Sequence, residues 1–171
     1  NHYWATPQER TPDWVREFAR RCFDNGASVV LGHGTPVLQG LEFHRGHLIA
    51  YGLGSFVFHT HRPASYDAGA WESLLVDADL GPDGTANEVR LHPVIHGCHP
   101  ERPGAGRPID APASEVPDSG PALPEARTAS RILARVAELS EPFGAEVVTT
   151  PEGAAFLRPT VPAPVSATAH H

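Results

Sequence analysis

Val29-Val30-Leu31-Gly32-His33-Gly34 is an apolar run that ends in a histidine with glycine on either side. The run is short and rich in β-branched residues, which suits a buried strand. With no side chain on either neighbour, His33 can lean out of the strand end into an open crevice. In open α/β sheets, ligands bind in crevices beyond the carboxyl ends of strands. The preceding stretch supports this reading. Thr11-Pro12-Asp13 is a helix start, with Thr11 as the cap, Pro12 in the first turn and Asp13 at the positive end of the dipole. Trp14, Val15, Phe18, Ala19 and Cys22 follow at helical spacing and predict one apolar stripe, with Cys22 as small core filler. Asn25-Gly26 stops the helix as a left-handed cap does, and 27–31 reads as a fully buried strand. A helix closely linked to a buried strand is half of an α/β unit.

Beyond His33, the pattern predicts a second strand over 37–43, a turn at His44-Arg45-Gly46-His47 and a third strand over 48–51. Gly52 and Gly54 mark a bend before a strand end at Phe56-Val57-Phe58. Residues 71–79 and 88–95 predict a hairpin joined by Gly81-Pro82-Asp83-Gly84, with Leu74, Val76 and Ala78 set against Val89, Leu91 and Pro93. Proline and glycine dominate 97–124, which reads as a linker-like loop. A helix is predicted over 124–141, with Ile132, Leu133, Val136 and Leu139 on one face and Pro142-Phe143-Gly144 at its end. Two short strands follow at 146–149 and 154–157, and the tail from 159 is expected to be disordered. The fold class is α/β. The expected organisation is an α/β unit over 1–96, a linker over 97–124, a helix and short strands packing back over 125–158, and the tail 159–171.

A chain of 171 residues is about one domain. The formal charge of −7 argues against nucleic acid as a partner, since phosphate binding needs a basic face. No membrane segment is expected, because no apolar stretch approaches the roughly 20 residues that span a bilayer. Cys22 and Cys98 do not define a disulfide framework, and Cys98, between His96 and His99, reads as a flexible surface thiol in preference to a soft metal site. The opening Asn1-His2-Tyr3-Trp4 reads as an entry into the middle of a fold, so the chain is expected to be the C-terminal part of a longer protein.

Nine of the eleven histidines precede position 100. Histidine is a common metal ligand and the usual proton carrier near neutral pH. No sequence-local metal motif is present, so any site must be assembled from separate loops. His2 reads either as an exposed terminal histidine or as a ligand after an upstream strand. His33 is the better candidate by its strand-end position. His44 and His47 flank a turn and are expected to be solvated, and His92 is expected to face water. His59, His61, His96 and His99 are loop residues. Glu42 and Glu72 are either edge-strand charges or carboxylates that pair with an arginine or orient a histidine. Gly54-Ser55-Phe56 is not a serine-nucleophile elbow. Gly52-Leu53-Gly54 is not a dinucleotide loop.

Several segments in order resemble one family. They are Asn1-His2-Tyr3-Trp4, the run Phe18 to His33, Val37 to Glu42, and His47 to Phe58. Trp71 to Leu75, Gly106-Arg107-Pro108 and Leu139 to Gly144 extend the series. Together they resemble the CapA-type (poly-γ-glutamate capsule biosynthesis) branch of the calcineurin-like metallophosphoesterases over about residues 1–158. The resemblance implies the C-terminal half of a four-layer α/β sandwich that binds one or more divalent metal ions (Mn, Zn, Ca, Fe or Mg). It implies His2 and His33 as metal ligands, His33 also as the catalytic group, and further ligands from an N-terminal half. The chain departs from the family at Pro36, where a second histidine is usual, and at Ser55, where asparagine is usual. The same branch includes lasso-peptide epimerases, and these departures direct the leading expectation there. In that chemistry a metal-polarised carbonyl lets a base remove an α-proton from a ribosomally made peptide while an acid returns one. A CapA-type hydrolase or transferase acting on a polymer or phosphoester is the alternative. A metal-free binding module is a further one.

Overall fold

The computed structural model describes residues 8–58, 65–101 and 120–160. It is a mixed α/β structure with two sheets and few helices, in the order α1 (Asp13–Asp24), β1 (Val29–Leu31), β2 (Leu41–His44), β3 (His47–Ala50), β4 (Glu72–Leu80), β5 (Ala86–Ile95), α2 (Ala126–Ser140), β6 (Ala145–Thr149) and β7 (Ala155–Pro159). The first sheet has the order β1-β3-β2, with β1 parallel to β3 and β2 antiparallel to it. The second has the order β4-β5-β7-β6 and is antiparallel throughout.

The alternation of β3 explains how the layers stack. Leu48 and Ala50 enter the main core, whereas Ile49 and Tyr51 pack under α1 with Val15 and Ala19. Successive strand side chains point to opposite faces, so four consecutive apolar residues serve two layers. The main core joins Leu38 and Leu41 to Leu74, Val89, Leu91 and Ile95, and to Ile132, Leu133 and Val136 of α2. The outer face of the second sheet carries Leu75, Asp77, Arg90 and His92, all exposed.

The hairpin register agrees with the sequence pattern: Leu74 pairs with Pro93, Val76 with Leu91 and Ala78 with Val89. Other elements differ. Pro12, not Thr11, is the N-cap of α1; it is extended, and its carbonyl accepts from the N–H of Val15 and Arg16. Thr11 is instead buried. The α1 stripe is narrower than predicted, since Trp14 and Phe18 are 53% and 64% exposed and Cys22 is half-buried. β1 is not fully buried either, with Leu31 62% exposed. The cause is the same for both: among the described residues β1 pairs with β3 on one side only, and α1 covers a single face. The strand expected over 37–43 is broken at Gly40, where a Cβ would lie 2.2 Å from the Leu139 carbonyl oxygen at the end of α2. Before that break, Leu38 makes an isolated bridge to Leu53. Residues 56–58 are irregular rather than a strand end, and Phe56 and Val57 are exposed. Parts of the expected linker are packed: Ala122 exchanges two backbone hydrogen bonds with Ile95, and His99 is buried, as is His96 just before the linker. His2, His59, His61, Gly106-Arg107-Pro108 and the tail beyond 160 lie outside the described residues. Among the described residues no helix is long and apolar enough to cross a membrane.

Candidate functional site

His33 stands where the Val-Val-Leu run predicts, just past the C-terminal end of β1, and it is exposed. Gly32 fixes that exit. Its N–H donates to the Ala50 carbonyl at 2.6 Å, and a Cβ there would lie only 2.2 Å from the Tyr51 carbonyl oxygen. No larger residue fits between two backbones that close. Gly34 adopts φ +130°, which turns the chain away from the sheet. Thr35, Pro36 and Val37 then descend into the protein and are buried. Pro36 is thus turned inward.

Gln39 ties this loop to the segment before α1. It is 2% exposed, and its side-chain amide donates to the Gln8 carbonyl at 2.9 Å. Residues 8–10, which follow the His2 segment, are therefore held against the 33–39 loop. A cavity of about 580 Å³ opens alongside, lined by Gln8, Glu9, Val37, the 65–70 segment and Arg135 of α2. His33 does not line it; its loop reaches the rim through Val37. The Arg135 guanidinium pairs with the Glu9 carboxylate. Sequence reading gave no signal for Arg135 or Tyr66, because helix position and loop path bring them here. Gln39 lay within a recognised segment without a role.

Both carboxylates singled out by sequence are buried and paired. Glu42 on β2 receives Arg20 Nε at 2.8 Å on one oxygen and the Tyr51 hydroxyl at 2.7 Å on the other. Burial and the Glu42 charge push the Tyr51 hydroxyl well above the ordinary tyrosine range. Glu72 on β4 is 1% exposed, with Arg131 Nη1 at 2.6 Å and His99 Nε2 at 3.6 Å. The His99 distance is long for a direct hydrogen bond, so Arg131 is the tighter partner. Burial pushes the Glu72 carboxyl up, but His99 and Arg131 outweigh it and hold the group below the ordinary carboxylate value. The backbone N–H of Glu101 donates to His99 Nδ1 at 3.2 Å, which leaves the ring proton on the nitrogen facing Glu72. Glu101 itself accepts from the Thr128 hydroxyl and, at 3.1 Å, from the Glu125 N–H at the start of α2. Those hydrogen bonds hold its carboxyl below the usual range.

The remaining histidines divide by packing. His44 and His47 are half-buried rather than solvated, because both stack on Phe23, with centroids 6.0 and 4.9 Å away. His47 Nδ1 also bonds the Gly84 carbonyl at 2.9 Å, fastening the β4–β5 turn to the first sheet. His92 is exposed as expected. His96 is fully buried beside Trp71, and Cys98 is half-buried rather than a surface thiol. Among the described residues, no three His, Cys, Asp or Glu side chains come together in an arrangement that could hold a metal ion. His33 offers one exposed imidazole, so the described residues alone do not fit a divalent ion.

This geometry can be compared with known proteins. Residues 1–60 match the family model described as bacterial capsule synthesis protein PGA_cap. The chain is 34% identical over 100 residues to the PGA biosynthesis protein CapA of Bacillus subtilis (strain 168), covering 57% of this chain and 25% of that protein. It is 32% identical over 87 residues to the capsule biosynthesis protein CapA of Bacillus anthracis, covering 50% of this chain and 20% of that protein. The chain thus spans a quarter or less of the length of these curated relatives. The matched residues 1–60 include the His33 loop and all three strands of the first sheet. The similarity is to capsule biosynthesis proteins, which favours the alternative drawn from the sequence over the epimerase reading.

Proposed function

We propose that this chain supplies the strand-end histidine of a CapA-type, divalent-metal-dependent hydrolase or transferase acting on a poly-γ-glutamate or phosphoester substrate. The observation that supports it is the match of residues 1–60 to the capsule synthesis family, with His33 exposed at the carboxyl end of β1. One imidazole cannot hold the ion. His2 and carboxylate or asparagine ligands from an N-terminal half would complete the set, and the bound ion would supply Lewis-acid polarisation of the scissile group. This chain's own residues position and exchange protons. Gly32 and Gly34 hold the His33 ring at the strand end, where it can donate or accept a proton at a ring nitrogen.

A second reading, epimerisation of one residue in a lasso-type precursor peptide, is favoured by Pro36 and Ser55 standing where the family usually has histidine and asparagine. One experiment addresses both. His33→Ala, in the metal-loaded protein, is expected to lower turnover by about 10²–10⁴-fold, the usual worth of a positioned acid or base. Its unfolding midpoint should stay unchanged. Full turnover in the variant would overturn the assignment. Release of phosphate or shortened polymer supports the first reading; deuterium entering one α-position of a peptide without cleavage supports the second.

A further inference from the structure

The cavity beside the His33 loop carries an unusual arrangement of charge. Arg135 reaches it from α2, and its Nη2 lies 3.8 Å from where a Cβ on Gly69 would sit. Asp67, two residues before Gly69, lines the same cavity, so a cation and an anion face one space. Arg135 is engaged by Glu9, but that pair is part-exposed, with side chains 37% and 27% accessible. Such a pair contributes little and exchanges readily with a ligand. Asp67 has no ion-pair partner among the described residues, and the side chains of Ser65 and Gln8 are likewise unengaged. The Tyr66 ring, held edge-on to both Phe58 and Trp71, gives the wall a rigid apolar surface. A volume of about 580 Å³ falls within the range of small-ligand pockets.

We propose that this cavity is a recognition subsite for a zwitterionic group, an ammonium and a carboxylate borne on one carbon, as in a free α-amino acid. Asp67 receives the ammonium, and Arg135 receives the carboxylate by exchanging part of its contact with Glu9. Glu9, Asp67 and Arg135 sum to one net negative charge, which selects against a ligand that carries a carboxylate alone. The subsite deepens the capsule-type reading, on which it rests for the link to turnover, by naming the chemistry of the group held beside the His33 loop.

The test is calorimetric titration of the chain with free alanine, alanine amide and N-acetylalanine. Alanine is expected to bind, and each blocked form to bind at least tenfold more weakly. Asp67→Asn should reduce alanine binding at least tenfold while leaving the amide backbone spectrum of distant residues unchanged. Arg135→Gln should weaken alanine and N-acetylalanine in parallel. Equal binding of the blocked forms, or no alanine binding at 10 mM free amino acid (about 10 mM being well above the 1 mM that corresponds to about −4.1 kcal/mol), would overturn the proposal. His33→Ala should leave this binding intact. Loss of alanine recognition with His33-dependent turnover retained would therefore remove the subsite and spare the reading. Intact recognition without such turnover would do the reverse.

Discussion

Replacing Glu72 by glutamine tests whether the buried carboxylate, rather than its shape, holds the 96–101 segment and α2 against β4. The side chain is 1% exposed, so nearly all the effect arises in the interior. Arg131 is 54% exposed and returns to water when its partner is lost, which removes most of its share. His99, at 3% exposed, cannot do so. Its ring N–H would keep an amide oxygen to face but lose a charged one. At 3.6 Å the His99 contact is electrostatic rather than a direct hydrogen bond, and Arg131 is half in water, so losing the charge in Glu72→Gln should cost about 1 kcal/mol at pH 7. Glu72→Ala leaves His99 and Arg131 facing a void in place of the carboxylate, for about 3 kcal/mol. The carboxyl lies below its ordinary value of 4.5 in the folded state. Its contribution is therefore complete above pH 4.5 and is lost as pH falls through the lower, folded value. The gap between parent and Glu72→Gln should shrink in that acid window. Urea unfolding followed by circular dichroism at pH 7 and at about pH 4, with intermediate steps, measures it. A gap under about 0.5 kcal/mol at pH 7, within the range of ordinary surface substitutions, would refute the reasoning. So would a gap that widens on acidification.

Gly32→Ala puts a methyl group 2.2 Å from a backbone oxygen that no side-chain rotation can relieve. It should cost about 3 kcal/mol, at the upper end of overpacking, and shift the amide resonances of Gly32 to Gly34 and Ala50 to Gly52. A melting temperature within a degree or two of the parent would count against the close approach. Ile132→Ala, at a fully buried position shared by both sheets and α2, should cost about 2–5 kcal/mol in urea unfolding. Hydrogen exchange should accelerate in β5 and β2 together, whereas a change confined to α2 would show that the two sheets do not share one core.

The elements that sequence made legible are those whose pattern is local and repetitive. The Leu74-Val76-Ala78 alternation fixed the β4–β5 register because period-two burial admits only one inward set. The Ile132, Leu133 and Val136 spacing located the buried face of α2 for the same kind of reason. Trp14 and Phe18 misled because a helical stripe predicts which face is apolar, not whether anything covers it. Glu42 and Glu72 stayed ambiguous because their partners, Arg20 and Arg131, sit 22 and 59 positions away along the chain. Distance of that kind leaves no mark in a local pattern.

By itself, the amino-acid order determined the α/β class, the strand that leads to His33 and the resemblance to capsule biosynthesis proteins. Each depends on neighbours within a few residues, where sterics and periodicity act directly. Only the tertiary structure decided that β1 lies at the edge of its sheet among the described residues, that Pro36 is buried, and that Arg135 and Asp67 line one cavity beside the His33 loop. These depend on how separate elements dock. Docking is set by the summed burial of the whole core, a quantity no short segment contains.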